Sequence, residues 1–133
     1  MSKEVSPNRA RTLALQHRSF ELACAVVSAY PKRAVLDDPS RIVWRQLVKA
    51  VTSSTFNLEE ADAGSSDADF LAKMRIALRE IKESRVAIRV IVRCTLAGHE
   101  AVAKHEDEAR QLAAIFATII VNKKASMRGG TRF

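Results

Sequence analysis

Residues 70–96, FLAKMRIALREIKESRVAIRVIVRCTL, run without a glycine or a proline, and their side-chain pattern fits a helix. Phe70, Met74, Ala77, Ile81, Ile88, Val92 and Thr95 recur at the i, i+4, i+7 spacing of a buried helical face. Ile76, Val86, Ala87, Val90 and Cys94 form a second apolar side, which a single bundle core does not need. Arg75, Arg79, Lys82, Arg89 and Arg93 fall within about 40° either side of one direction at ~100° per residue. A helix apolar on two sides and cationic on a third predicts a subunit of an oligomer that meets an anionic partner.

The remainder of the chain divides into segments of the same kind. A basic arm over residues 1–9 precedes a helix predicted from Ala10 to Tyr30, with Leu13, Phe20, Cys24 and Val27 on its buried face. Pro31 ends it, because proline disfavours helical geometry in the residue before it. A second helix starts with Asp38 as N-cap and Pro39 at the first helical position. It is expected to reach Phe56, with Ile42, Val43, Leu47, Ala50 and Val51 as its apolar residues. An acidic link, NLEEADAGSSDAD, leads to Ser66 as the next N-cap, with Asp67 and Asp69 in the first turn beside the positive end of the helix dipole. The third helix is expected to run to Leu96, terminated by a left-handed Gly98. A fourth presents Ala109, Leu112, Phe116, Ile119 and Ile120 at bundle spacing, and residues 122–133 are read as a disordered basic tail. The fold class that follows is all-α: an antiparallel up-down-up-down four-helix bundle over residues 10–121.

Composition agrees with this reading and narrows the function classes. Only 4 glycines and 3 prolines occur in 133 residues, and aromatics make up 5%, so aliphatic side chains must fill the core. The formal charge of +7 points to a polyanionic partner or to a well-solvated basic surface. Cys24 and Cys94 are far apart on apolar patterns and are expected as buried reduced thiols. The N-terminal stretch has charges throughout and no continuous apolar core, and no run approaches the ~20 apolar residues of a membrane span. A soluble cytoplasmic protein with no membrane role is the expectation.

Three passages carry a family resemblance. They are Glu21-Leu22-Ala23 in the first helix, Gln46-Leu47-Val48-Lys49-Ala50 with Ser53, Ser54 and Asn57 in the second, and Phe70-Leu71-Ala72-Lys73-Met74-Arg75-Ile76-Ala77-Leu78 leading to Lys82-Glu83-Ser84 in the third. Over roughly Phe20 to Ile120 the chain resembles the four-helix-bundle family of 23S rRNA intervening-sequence proteins. The same family includes the accessory variability determinant of diversity-generating retroelements. Two departures stand out: the family's Asn-x-Ala-Glu-Gly turn is Asn57-Leu58-Glu59-Glu60-Ala61 here, and the aromatic pair after Glu-Ser is replaced by Arg85-Val86-Ala87. The resemblance implies assembly into a homopentameric ring or barrel. For the retroelement members it also implies binding to a reverse transcriptase and to nucleic acid through a basic surface. For the intervening-sequence members it implies no activity.

The candidate sites follow from charge and exposure. The stripe Arg75/Arg79/Lys82/Arg89/Arg93 would span about 27 Å at ~1.5 Å per residue, enough to track several phosphates. The competing reading is a solvated face partly paired with Glu80, Glu83 and neighbouring helices. Arg9, Arg11 and Arg18, with Lys123, Lys124, Arg128 and Arg132, would form two flexible basic arms giving sequence-tolerant contact with RNA or DNA, or else serve solubility alone. Phe20, Phe56, Phe70 and Phe116 are all read as core, which leaves few aromatics for base stacking. Ile76, Val86, Val90, Cys94 and Trp44 are the candidate oligomer interface, Trp44 as a packing anchor at the bundle or subunit boundary. No metal or cofactor site is expected: His99 and His105 are six residues apart, unlike the four-residue spacing of helical zinc ligands, and no glycine-rich phosphate loop or nucleophile–histidine pairing is visible. The function expected is a non-enzymatic oligomeric adaptor that binds nucleic acid, with a protein-interaction ring lacking any nucleic-acid role as the alternative.

Overall fold

The computed structural model describes residues 4–64 and 66–129. All regular structure among them is helical. Four long helices, α1 (Pro7–Ser28), α2 (Asp38–Asp62), α3 (Asp67–Arg93) and α5 (Glu106–Gly129), are joined by a 3-10 turn over Arg33–Val35 and a short α4 (His99–Ala103). Local chemistry explains the ends. The Ser6 side chain caps α1, with Pro7 in its first turn. Asp37, one residue earlier than the sequence suggests, accepts from the Ser40 amide at 2.9 Å and caps α2. Ser66 caps α3 by accepting from the Asp69 amide at 3.0 Å. Each satisfies an amide that the helix itself leaves without a partner.

The central layer is α3, which packs against both α2 and α5 and buries Leu71, Met74, Ala77, Ile81, Ser84, Ala87, Ile88 and Ile91. Trp44, Leu47, Phe116 and Leu112 complete the core from the neighbouring helices. Among the described residues, hydroxyls are buried only with partners: Ser54 donates to the Ala77 carbonyl across the α2–α3 seam at 2.8 Å, and the Ser19 and Thr55 hydroxyls meet at 2.9 Å between α1 and α2. Pairing of this kind removes most of the cost of burying a polar group.

Several expectations about the elements need correction. α2 continues through Glu59 and Glu60 to Asp62: its last turns bury Leu58 and Ala61, and two of its last acids meet cations of other helices, Lys73 at 3.0 Å from Glu60 and Arg9 at 2.6 Å from Asp62. α3 ends at Arg93, with Thr95 in the left-handed conformation (φ 52°). The Leu96 amide returns to the Ile91 carbonyl and the Thr95 amide to that of Val92, the double bond of a Schellman termination. Gly98, also left-handed, opens α4 instead. α5 extends helically to Gly129, so residues 122–129 are not a disordered tail. No glycine or proline interrupts Asn122 to Arg128, and Lys123 ties this segment to Asp67 at 2.7 Å. Residues 7–9 of the expected basic arm are likewise the first turn of α1. Arg132 lies outside the described residues.

The buried side of α1 also differs from the one expected. Leu22, Ala23, Val26 and Ser19 face the core, while Leu13, Phe20, Cys24 and Val27 are exposed. Both sides of this helix are apolar, so spacing alone does not choose between them. The buried side carries the Ser19–Thr55 hydroxyl contact together with Leu22, Ala23 and Val26. Ile42 (69% exposed) and Phe56 (63% exposed) are likewise outside the core, and Cys94 is exposed, so neither thiol is buried.

Candidate functional site

The five cations of the α3 stripe are all exposed. The helix presents them because the opposite side, Met74, Ala77, Ile81, Ile88 and Ile91, is committed to the core. Arg79 reaches Glu80 at 3.6 Å and Arg89 reaches Glu106 at 3.7 Å, both loose contacts with the arginine side chains more than half exposed. Among the described residues, Arg75, Lys82 and Arg93 have no ion-pair partner within 4.0 Å. Long, exposed pairs of this kind contribute little and compete weakly with an incoming anion.

Other cations that the sequence groups with this surface are structural. Arg18 forms a two-pronged bond to Glu108, at 3.0 and 2.6 Å, and also donates to Gln111. The Glu108 carboxylate holds the Arg18 guanidinium above its ordinary pKa. Arg9 is bound to Asp62, and Lys123 to Asp67 with its ammonium 5.3 Å from the Phe70 ring centroid. Arg9, Arg18 and Lys123 therefore join helices and are not members of flexible arms. Arg11 and Lys124 are exposed on α1 and α5, and Arg128 lies in the last turn of α5. Elsewhere Lys73 is raised in pKa by its bond to Glu60, and Asp107 is lowered chiefly by its bond to Arg110.

The apolar residues proposed as an interface do not occupy a separate side. Val86 (55% exposed) and Val90 (37% exposed) sit within and beside the basic stripe. With Ile42 and Val43 of α2 and Ala87 of α3 they line a groove of about 610 Å³, whose lining also includes Arg79 and Lys82. Cys94 lines an adjoining groove of about 690 Å³ with Val86, Val90, Val92, Arg89 and Arg93. Ile76 is half-buried. Trp44 is a correction: it is fully buried, its indole Nε1 donates to the Ala97 carbonyl at 2.7 Å, and no part of it is available to a second subunit.

Chemically, this surface offers guanidinium forks and an ammonium in line, interleaved with aliphatic contacts. Guanidinium groups bind phosphate oxygens bidentately, and the valines offer the apolar area that sugar edges or another protein's side chains require. Phe20 and Phe56, expected in the core, are exposed and add aromatic surface on α1 and α2. Among the described residues no three His, Cys, Asp or Glu side chains are placed to hold a metal ion, and no helix is long and apolar enough to cross a membrane. A third cationic group, Arg33, Arg41 and Arg45, gathers at the α1–α2 connector. Sequence spacing suggests only Arg41 and Arg45, one helical turn apart on α2, because Arg33 belongs to another element.

A family model described as 23S rRNA-intervening sequence protein matches residues 11–118. Among solved structures, a protein of unknown function from the S23 ribosomal protein family of Bacteroides thetaiotaomicron, a crystal structure at 1.70 Å, superposes with a TM-score of 0.68. The two sequences are 23% identical, and the alignment covers 80% of this chain and 97% of that one. At that identity the likeness is one of fold. No curated protein matches the chain.

Proposed function

Since the chain belongs to the 23S rRNA-intervening sequence protein family, we propose that it acts as a non-enzymatic oligomeric adaptor whose α3 surface holds the backbone of RNA or DNA. The observation that carries this reading is the exposure of Arg75, Arg79, Lys82, Arg89 and Arg93 along one helix, none of these five making an ion pair shorter than 3.6 Å with a described residue. Contact through phosphates is sequence-tolerant. The reading places the protein in the cytoplasm, where nucleic acid is available.

The subunit in this reading is an antiparallel up-down-up-down bundle. Ion pairs between the start of one long helix and the end of another support that arrangement: Arg9 to Asp62, Lys73 to Glu60 and Lys123 to Asp67. Subunits assemble into the homopentameric ring implied by the family resemblance. Exposed Ile42, Val86 and Val90 line one groove and favour association, because monomers rarely leave a large contiguous apolar patch in water. A ring also multiplies the stripe, so several weak phosphate contacts act together. In the retroelement form of this function, the ring presents nucleic acid to a reverse transcriptase.

One observation favours a second reading, a protein-interaction ring without nucleic acid. Val86 and Val90 lie among the stripe cations, so another subunit could cover the whole surface. Charge reversal separates the two. Arg79→Glu with Arg89→Glu is expected to lower affinity for a fluorescent single-stranded RNA at least ~100-fold at low salt, with the assembly mass by light scattering unchanged. Dissociation of the assembly by the same variant would instead assign these arginines to the subunit interface.

A further inference from the structure

We propose that the cleft between the α1–α2 connector and the first turns of α2 is a binding site for a phosphate monoester. The cleft, of about 540 Å³, is lined by Tyr30, Arg33, Leu36, Arg41 and Arg45. Arg33 comes from the 3-10 turn, and Arg41 and Arg45 lie one turn apart on α2. It shares no residue with the α3 stripe and does not depend on the function assigned there.

Charge selects the ligand class. Asp38 lies 3.0 Å from Arg41 and compensates one guanidinium. The neighbouring Asp37 carboxylate is committed to capping α2 through the Ser40 amide. Among the described residues Arg33 and Arg45 have no ion-pair partner within 4.0 Å. The two uncompensated positive charges match a phosphomonoester dianion, which carries roughly −1.5 to −2 near neutral pH. Planar guanidinium forks suit its terminal oxygens, and the Tyr30 ring and Leu36 offer apolar area to the ester's organic group.

The walls are held in place by packing. The Tyr30 ring stands edge-on to Trp44, with centroids 5.7 Å apart at 75°, and Trp44 is fixed by its bond to the Ala97 carbonyl. Gly98 comes so close that a Cβ there would lie 3.0 Å from both Pro31 and Trp44. The connector is thus clamped against the α3–α4 loop, which limits the ordering that ligand binding must supply.

Calorimetric titration of the full chain with phenyl phosphate and with inorganic phosphate tests the proposal. Saturable binding of one equivalent per chain is expected. Arg33→Gln with Arg45→Gln should weaken it about tenfold or more, while Arg79→Glu with Arg89→Glu leaves it within about twofold. Two sources present the same chemistry, a free phosphomonoester and the phosphorylated end of a nucleic acid strand. If an oligonucleotide with a 5′ or 3′ phosphate binds more tightly than its hydroxyl-ended counterpart, and the gap closes in the Arg33/Arg45 variant, the strand end is the source. Equal binding of these oligonucleotides, with phenyl phosphate still saturating the cleft, assigns a small phosphomonoester. Absence of saturable phosphate binding, or equal weakening by both double variants, overturns the proposal. Failure of RNA binding at α3 would leave it standing.

Discussion

Trp44 shows how one side chain can join distant parts of this fold. Its ring, on α2, is fully buried, it meets Tyr30 just past the end of α1, and its Nε1 donates to the Ala97 carbonyl beyond the end of α3. Trp44→Phe removes that donor and leaves the carbonyl with a lost partner in a half-buried setting. A loss of about 1–3 kcal/mol is expected in urea denaturation followed by helical circular dichroism; a variant within about 0.5 kcal/mol of the parent would contradict the role given to this bond. His105, between α4 and α5, supplies a pH-dependent counterpart. Burial first, and the nearby Lys104 charge second, hold its imidazole below the ordinary value of 6.5. On acidification the unfolded chain therefore takes up the proton before the folded one. The His105 contribution is complete above 6.5 and is lost as pH falls through the lower folded value. Urea midpoints from about pH 8 to about pH 5 should fall more steeply in the parent than in His105→Gln, and parallel curves would refute this.

The helices divide between what the chain advertises and what only tertiary contact decides. Ser66 as a cap and the apolar series Ala109, Leu112, Phe116, Ile119 and Ile120 are local signals that the structure bears out, with Ile119 partly buried, whereas α1 ends at Ser28 and not at Tyr30 before Pro31. The orientation of α1 is not local: Leu13, Phe20 and Val27 compete with Leu22 and Val26, and the buried side also holds a polar contact, Ser19 to Thr55, that apolar spacing does not reveal. The extra lengths of α2 and α5 carry contacts to Lys73, Arg9 and Asp67, partners remote in sequence, and α2's also buries Leu58 and Ala61. For the same reason Arg9, Arg18 and Lys123 read as free basic arms until their acids are located. Thr95 is the clearest local conflict, a β-branched residue at φ 52° in the turn that ends α3. Left-handed geometry costs such a residue roughly 1–2 kcal/mol. Thr95→Gly is expected to raise stability by about 0.5–1 kcal/mol, after allowing for glycine's greater freedom in the unfolded chain. Destabilisation in thermal or urea melts would show that the threonine is held there by contacts that outweigh its strain.

At the scale of the molecule, the family and the helical fold were legible because residues 20–120 carry both the apolar spacing and the sequence passages of the family. The site was legible in part. All five stripe cations are exposed as expected, but their separation from an apolar interface was not real: Val86 and Val90 share their surface, and Trp44 belongs to the core. Helical angles place Val86 only about 20° from the stripe's axis at ~100° per residue, so the mixture was present in the numbering before the structure displayed it. The Arg33/Arg41/Arg45 cleft was not legible, since it forms only when the connector folds against α2. Whether α3 holds phosphates shows in the salt dependence of RNA binding. Affinity measured by fluorescence anisotropy across about 50 to 200 mM salt should fall linearly on logarithmic axes, with a slope for single strands of about −0.7 per phosphate neutralised. Arg79→Glu with Arg89→Glu should make that slope shallower by at least about 1.4. A slope unchanged by the substitution, or no binding at the lowest salt, would contradict phosphate binding at α3.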